Sequence, residues 1–132
     1  MTKEQLRQYR SGQAELVQLR KLLCELEGIM TAPSAAKLTG TFGGAADGSR
    51  TERLVERKAA LETRYRTKQA ELLRQQADIE TAIESLEPVE RQLLRYRYLL
   101  GLTWEEVSEA MHYSWRQVHN IHARALAALR DR

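Results

Sequence analysis

The chain has 132 residues, a formal net charge of +3 and charged side chains at 30% of its positions. That length suits one ordinary domain, or one small domain joined to an elongated helical segment, and the charged fraction is that of coiled coils and long amphipathic helices. The small net charge excludes an argument for nucleic acid from composition alone, and the sequence offers no charged-then-apolar leader and no apolar run near the roughly 18 residues of a membrane span. A soluble, cytoplasmic protein with no membrane partner is expected. Only two prolines, Pro33 and Pro88, interrupt the chain, so long helices are permitted over most of it, proline being the residue that removes a backbone donor and clashes with the preceding turn.

From Thr2 to Met30 the apolar residues fall into heptads, with Tyr9, Leu16, Leu23 and Met30 in one column and Gly12, Leu19 and Leu26 in the other, an a/d seam that Gly12 weakens locally. Cys24, the lone cysteine, lies among these leucines and reads as a small buried hydrophobe. The stretch 31–50 is rich in Gly, Ala, Ser and Thr and reads as a loop or linker, with Phe42 beside Gly43 and Gly44 its one candidate for a docking role. A second seam runs through Leu54, Leu61, Tyr65, Leu72, Ile79 and Leu86, its remaining core-type positions held by Lys58, Lys68, Gln75 and Ala82, and predicts a helix from about Arg50 to Glu87. Two such helices fold back as an antiparallel hairpin. One hairpin alone has too little core, so a second copy is expected to cover it, giving a dimer or higher homo-oligomer through residues 1–87.

Pro88 suits the first position of a new helix and marks the expected boundary between segments 1–87 and 88–132. Pro88 to about Leu100 reads as one helix with Leu94 and Tyr98 facing inward, ended by Gly101. The next two helices begin with one repeated signature, LTWEEV and YSWRQV. Each places a hydroxyl at the N-cap, Thr103 or Ser114, and Glu106 or Gln117 three residues later, a capping box. Leu102 with Val107, and Tyr113 with Val118, have the spacing of hydrophobic staples. The first of these helices runs to about Met111 with Val107, Ala110 and Met111 inward, and the second to about Arg130 with Val118, Ile121, Ala125, Leu126 and Leu129 inward. The predicted fold is all-α, a long antiparallel helical hairpin followed by a three-helix helix-turn-helix domain.

On the last helix the face opposite the core presents Trp115, Arg116, His119, Asn120, Ala123 and Arg124, with no acid among them. An arginine can bond guanine in bidentate fashion and an asparagine adenine, which assigns Arg116 and Asn120 to base reading. Gln117 divides between its cap and DNA, His119 offers either hydrogen-bond polarity, and Arg124 is placed for phosphate. Trp115 packs either on sugar and thymine methyl or on Tyr113, whereas Trp104 reads as a shield for the small core. His112 occupies the turn where positive φ is common. A metal site at His112, His119 and His122 is rejected for want of partner ligands, no cofactor is expected, and Gly43-Gly44 lacks the Lys and Ser/Thr of a phosphate cradle. An enzyme is not expected.

Residues 91–130, with their RYRYL, GLTWEEV, YSWRQV and IHARAL elements, resemble region 4 of bacterial sigma factors, in the variant found in phage transcriptional regulators of the ArpU/RinA type. The resemblance implies control of late or packaging genes through double-stranded DNA, in contact with host RNA polymerase. His112 replaces the small residue most relatives carry. Two other readings compete with a DNA-binding regulator: a module that docks on RNA polymerase without DNA, and a recognition subunit for DNA packaging.

Overall fold

The computed structural model describes residues 1–31 and 44–131, and every regular element among them is helical. Helix α1 spans Lys3–Thr31 and α2 spans Gly44–Ile83. Helix α3, Pro88–Leu94, runs into a π-helical turn, Arg95–Leu99. Helices α4, Trp104–Met111, and α5, Trp115–Arg130, follow. Among the described residues no helix is long and apolar enough to cross a membrane.

The contacts divide the chain into two compact units. One comprises Glu15–Ala70, the later part of α1 with the earlier part of α2. Within it Leu26 and Leu61 are buried and Leu16, Leu19, Leu23, Leu54 and Tyr65 are half-buried, so the two seams face inward. Two lysines at core-type positions keep their stems covered and carry their charge to acids: Lys58 lies 3.9 Å from Glu27, and Lys68 lies 3.3 Å from Glu15. Numbering falls along α1 as it rises along α2, the antiparallel arrangement. Cys24 is exposed, not buried; it follows Leu23 in the heptad and therefore sits one step outside the seam. The loop expected over 31–50 is shorter at its far end, since α2 already begins at Gly44. Extending a formed helix by a residue costs far less than nucleating one, and Ala45 and Ala46 favour it. Phe42 and Gly43 lie outside the described residues.

The other unit joins Met1–Ala14 to Glu71–Arg132. Helix α1 starts on a capping box that the sequence reading missed, with Gln5 N–H donating to Thr2 Oγ1 at 3.3 Å and Thr2 N–H donating to Gln5 Oε1 at 2.8 Å. Leu6, Ile79, Ile83, Leu93, Leu94, Val107 and Val118 are fully shielded. Polar bonds knit the same unit together. Gln13 donates through Nε2 to Tyr9 Oη at 2.9 Å and to the Leu99 carbonyl at 3.0 Å, and Tyr9 O–H donates to Gln76 Oε1 at 3.4 Å. The break at Pro88 thus falls inside a unit, where a boundary was expected. Leu6, Tyr9, Ile79 and Ile83, from the outer ends of α1 and α2, are buried in the unit that holds α3 to α5.

Helix α2 ends at Ile83, four residues short of the expected end; a turn follows in which Leu86 N–H bonds the Ile83 carbonyl at 3.0 Å, and Glu87, held out of helical geometry by the proline after it, has ψ 146. The helix expected from Pro88 to Leu100 is regular only to Leu94. In its π-helical turn Leu100 N–H reaches back five residues to the Arg95 carbonyl at 2.8 Å, and Gln13 supplies a donor to the Leu99 carbonyl. Gly101 then takes φ +70, the left-handed geometry expected of it.

Candidate nucleic-acid interface

The turn between α4 and α5 is fixed from both sides. Thr103 Oγ1 accepts from Glu106 N–H at 3.2 Å while Glu106 Oε1 accepts from Thr103 N–H at 3.1 Å. Ser114 and Gln117 repeat the arrangement at 3.2 and 2.8 Å. Each box satisfies donors that a helix start leaves open. Val107 and Val118 are fully buried below half-buried Leu102 and Tyr113, in keeping with the staple pattern.

At the far end of α4, His112 has φ 57 and ψ 38. His112 N–H bonds the Glu109 carbonyl at 3.3 Å and Tyr113 N–H bonds the Ser108 carbonyl at 3.2 Å, the pair of reverse bonds of a Schellman motif. Ser108 Oγ donates to the Tyr113 carbonyl as well. The left-handed residue reverses the chain within three positions, so Ser114 caps α5 with no spare loop. Ala110 is exposed, contrary to expectation, because in so short a helix Val107 and Met111, one turn apart, define the inner face and Ala110 lies off it.

Helix α5 buries Val118, Ile121, Ala125 and Leu129. Of the predicted site residues, Arg116, Asn120 and Arg124 are exposed and share one face with exposed Ala123, and Trp115 is 63% exposed beside it. Gln117 is exposed, but its Oε1 is committed to the cap, which leaves its amide N–H groups outward. His119 departs from the prediction. It is half-buried between two indoles, with ring centroids 4.5 Å from Trp104 and 4.0 Å from Trp115. Trp115 therefore packs on His119, a third possibility beside the two foreseen. Position 119 lies toward α4 on the helical wheel, and aromatic surface there holds the ring.

Sequence reasoning missed the buried pair beneath. Tyr98 Oη and His122 Nε2 stand 2.8 Å apart, and Trp104 meets His122 edge-on at 4.6 Å. Burial, then the positive charges of Lys3, Arg97 and Arg7 and the neighbouring His119 ring, hold the His122 pKa down to about 4, and burial raises that of Tyr98. At neutral pH the pair is uncharged. The signal was present, since His122 follows Val118 by four residues and precedes Ala125 by three, squarely on the apolar stripe.

Also unforeseen is a shallow groove on the Gln117 flank of α5, where Asn120 and Arg124 share a surface with Glu87 and Glu90 from the start of α3. The exposed face of Arg116, Asn120 and Arg124 carries no acid of its own but borders two. Only folding brings them within reach, from some 30 residues away in sequence.

Two short capped helices across a tight turn, supported by α3 and presenting one polar face, define a helix-turn-helix module. Residues 82–131 match the family model described as Sigma-70, region 4. That segment is a sigma region 4-like helix-turn-helix, a module of DNA-binding or RNA polymerase-interacting regulators. Among curated proteins and among solved structures nothing matches the chain.

Proposed function

We propose that the protein is a sequence-specific transcriptional regulator, not an enzyme, in which α5 enters the major groove of double-stranded DNA and a homo-oligomer presents at least two such helices. The observation that carries this reading is the exposed face of Arg116, Asn120, Ala123 and Arg124 on the second helix of a doubly capped turn. Arg116 reads guanine, Asn120 reads adenine, and Arg124 holds phosphate. The resemblance to ArpU/RinA-type regulators supports phage late or packaging genes as targets, in the cytoplasm of a bacterial host. Oligomerisation is supported by Val17, Leu22, Ile29 and Val55, each at least 44% exposed in the unit Glu15–Ala70, where a second copy would cover them.

Selection of bound fragments from random and phage DNA should return a site with paired half-sites whole helical turns apart. Replacing Arg116 and Asn120 by alanine should each remove about 1–3 kcal/mol of discrimination in competition gel shifts, and unchanged selectivity would refute the assignment. Sedimentation equilibrium should show a dimer or larger species at micromolar concentration; a monomer would remove the oligomer.

A second reading, docking on RNA polymerase without DNA, is favoured by one feature, the exposed Leu100 between the π-helical turn and α4. Salt separates the two. A reader of several phosphates loses orders of magnitude of DNA affinity between roughly 50 and 200 mM salt, whereas the docking module shows no DNA affinity to lose.

A further inference from the structure

The flank of α5 that carries His119 and His122, away from Gln117 and Arg124, forms part of the wall of a concavity of about 460 Å³. Helix α1 contributes Lys3, Arg7 and Arg10, spaced four and three residues apart and so on one helix face, and the π-helical turn contributes Arg97. No acid is among the lining residues. Arg7 has Glu4 at 3.5 Å on the exposed rim, but among the described residues no carboxylate lies within 4.0 Å of Lys3, Arg10 or Arg97. Arg97 donates to the Leu102 carbonyl at 3.0 Å and rests its guanidinium 4.3 Å from the Trp104 ring centre. Arg10 Nε, Arg97 Nε and His119 Nε2, all on this wall, are shielded from water and lack a hydrogen-bond partner.

Like charges gathered in a concave, partly dry wall repel one another. The repulsion is visible at neighbouring groups. Burial and then the charge of Arg10 lower the Arg97 pKa, and the positive groups around the cavity add to burial in depressing His122. An anion entering from solvent offsets that repulsion.

We infer that this concavity is a binding site for a phosphoryl oxyanion, gripped by Arg7, Arg10 and Arg97 with Lys3 at the mouth. Guanidinium groups suit phosphate because their planar forks make paired bonds to its oxygens. Trp104 is already engaged by Arg97, His119 and His122, so it is the charged group that is recognised and not a base stacked upon the indole. Two sources share this chemistry: a DNA backbone phosphate beside the footprint of α5, or a free oligophosphate compound. The site does not depend on base reading by α5.

The test uses the full chain and its Arg7→Gln/Arg10→Gln variant, with unchanged helicity by circular dichroism as the control for folding. If that variant does not fold, Lys3→Gln/Arg7→Gln replaces it, since both of those side chains are exposed. Melting is followed with sodium pyrophosphate against sodium chloride at matched ionic strength, and binding to a random-sequence 30-base-pair duplex is followed across salt concentrations. A rise in Tm with pyrophosphate that the variant lacks supports the site with a free oligophosphate as its source. A wild-type salt slope steeper than the variant's by about 1–2, roughly one per phosphate contact removed, supports it with DNA as the source. Identical behaviour of wild type and variant in both arms overturns the inference. The pyrophosphate arm contains no DNA, so its outcome is separate from that of base reading, and selectivity lost in the Arg116 and Asn120 variants leaves both arms unaffected.

Discussion

Substitutions on the two sides of α5 should fail in opposite ways. Arg116 and Asn120 are exposed and, among the described residues, bonded to nothing that holds the fold, so their loss should spare stability and remove selectivity. His122 is 7% exposed and bonded to Tyr98, so its loss should register in stability. Unfolded, it titrates near 6.5; folded, near 4. Between those values the unfolded chain binds more protons, so stability is complete above about pH 6.5 and declines as pH falls toward 4, by at most about 3 kcal/mol. Melting temperatures at pH 7 and pH 4.5 should therefore differ more in the wild type than in His122→Phe, which cannot take up the proton. An equal difference in both would assign the acid sensitivity elsewhere. The apolar spacing of α5 included position 122; the polarity of the side chain disguised it, and its partner Tyr98 is 24 residues away. Glu87 and Glu90 were hidden for the same reason, since no local pattern links them to Asn120 and Arg124.

The capped helix starts at Thr103 and Ser114 were legible because all their bonds span three residues. The left-handed residue between them was equally local, and it carries a strain that can be measured. A side chain with a Cβ pays about 1–2 kcal/mol in that region, while glycine does not. His112→Gly should raise the urea midpoint by an amount equivalent to up to about 1 kcal/mol, the glycine's own entropy cost in the unfolded chain consuming the remainder. His112→Val should lower it, because a β-branched residue tolerates positive φ least. A glycine variant no more stable than the wild type would mean that the imidazole earns its place by contacts of its own. The π-helical turn left no comparable trace. One surplus residue in a single turn hardly disturbs the apolar spacing, and its stabilising bond from Gln13 to the Leu99 carbonyl crosses 86 positions.

At the scale of the molecule, the seams announced a helical hairpin but not where it divides. The heptads continue through Ala14 and Ala70 without interruption, so nothing in the periodicity marks the places where contacts change sides. The division has a consequence for fragments. Residues 88–132 alone would lack Leu6, Tyr9, Ile79 and Ile83, all buried in the unit that holds α3 to α5. Deleting one buried leucine or isoleucine side chain commonly costs about 2–5 kcal/mol, and a small domain has only about 5–15 kcal/mol in all. The isolated segment should melt broadly and at lower temperature than the full chain by circular dichroism. A sharp transition at the full-chain temperature would show that the helix-turn-helix needs no support from α1 and α2.

The extra residue at Arg95–Leu99 also decides where this chain can be shortened. Removing one residue from a regular helix turns everything beyond it by about 100°, which in α5 would exchange the exposed polar face for the core. In the π-helical turn the same deletion returns the backbone to ordinary helix, with Leu93 and Leu94 on one side and Tyr98 on the other still directed inward. Deleting exposed Arg95 should leave a folded protein with a modest change in Tm, whereas deleting Ala123 should abolish cooperative melting. The joint between α3 and α4 is thus a helical position where the length of this chain is adjustable.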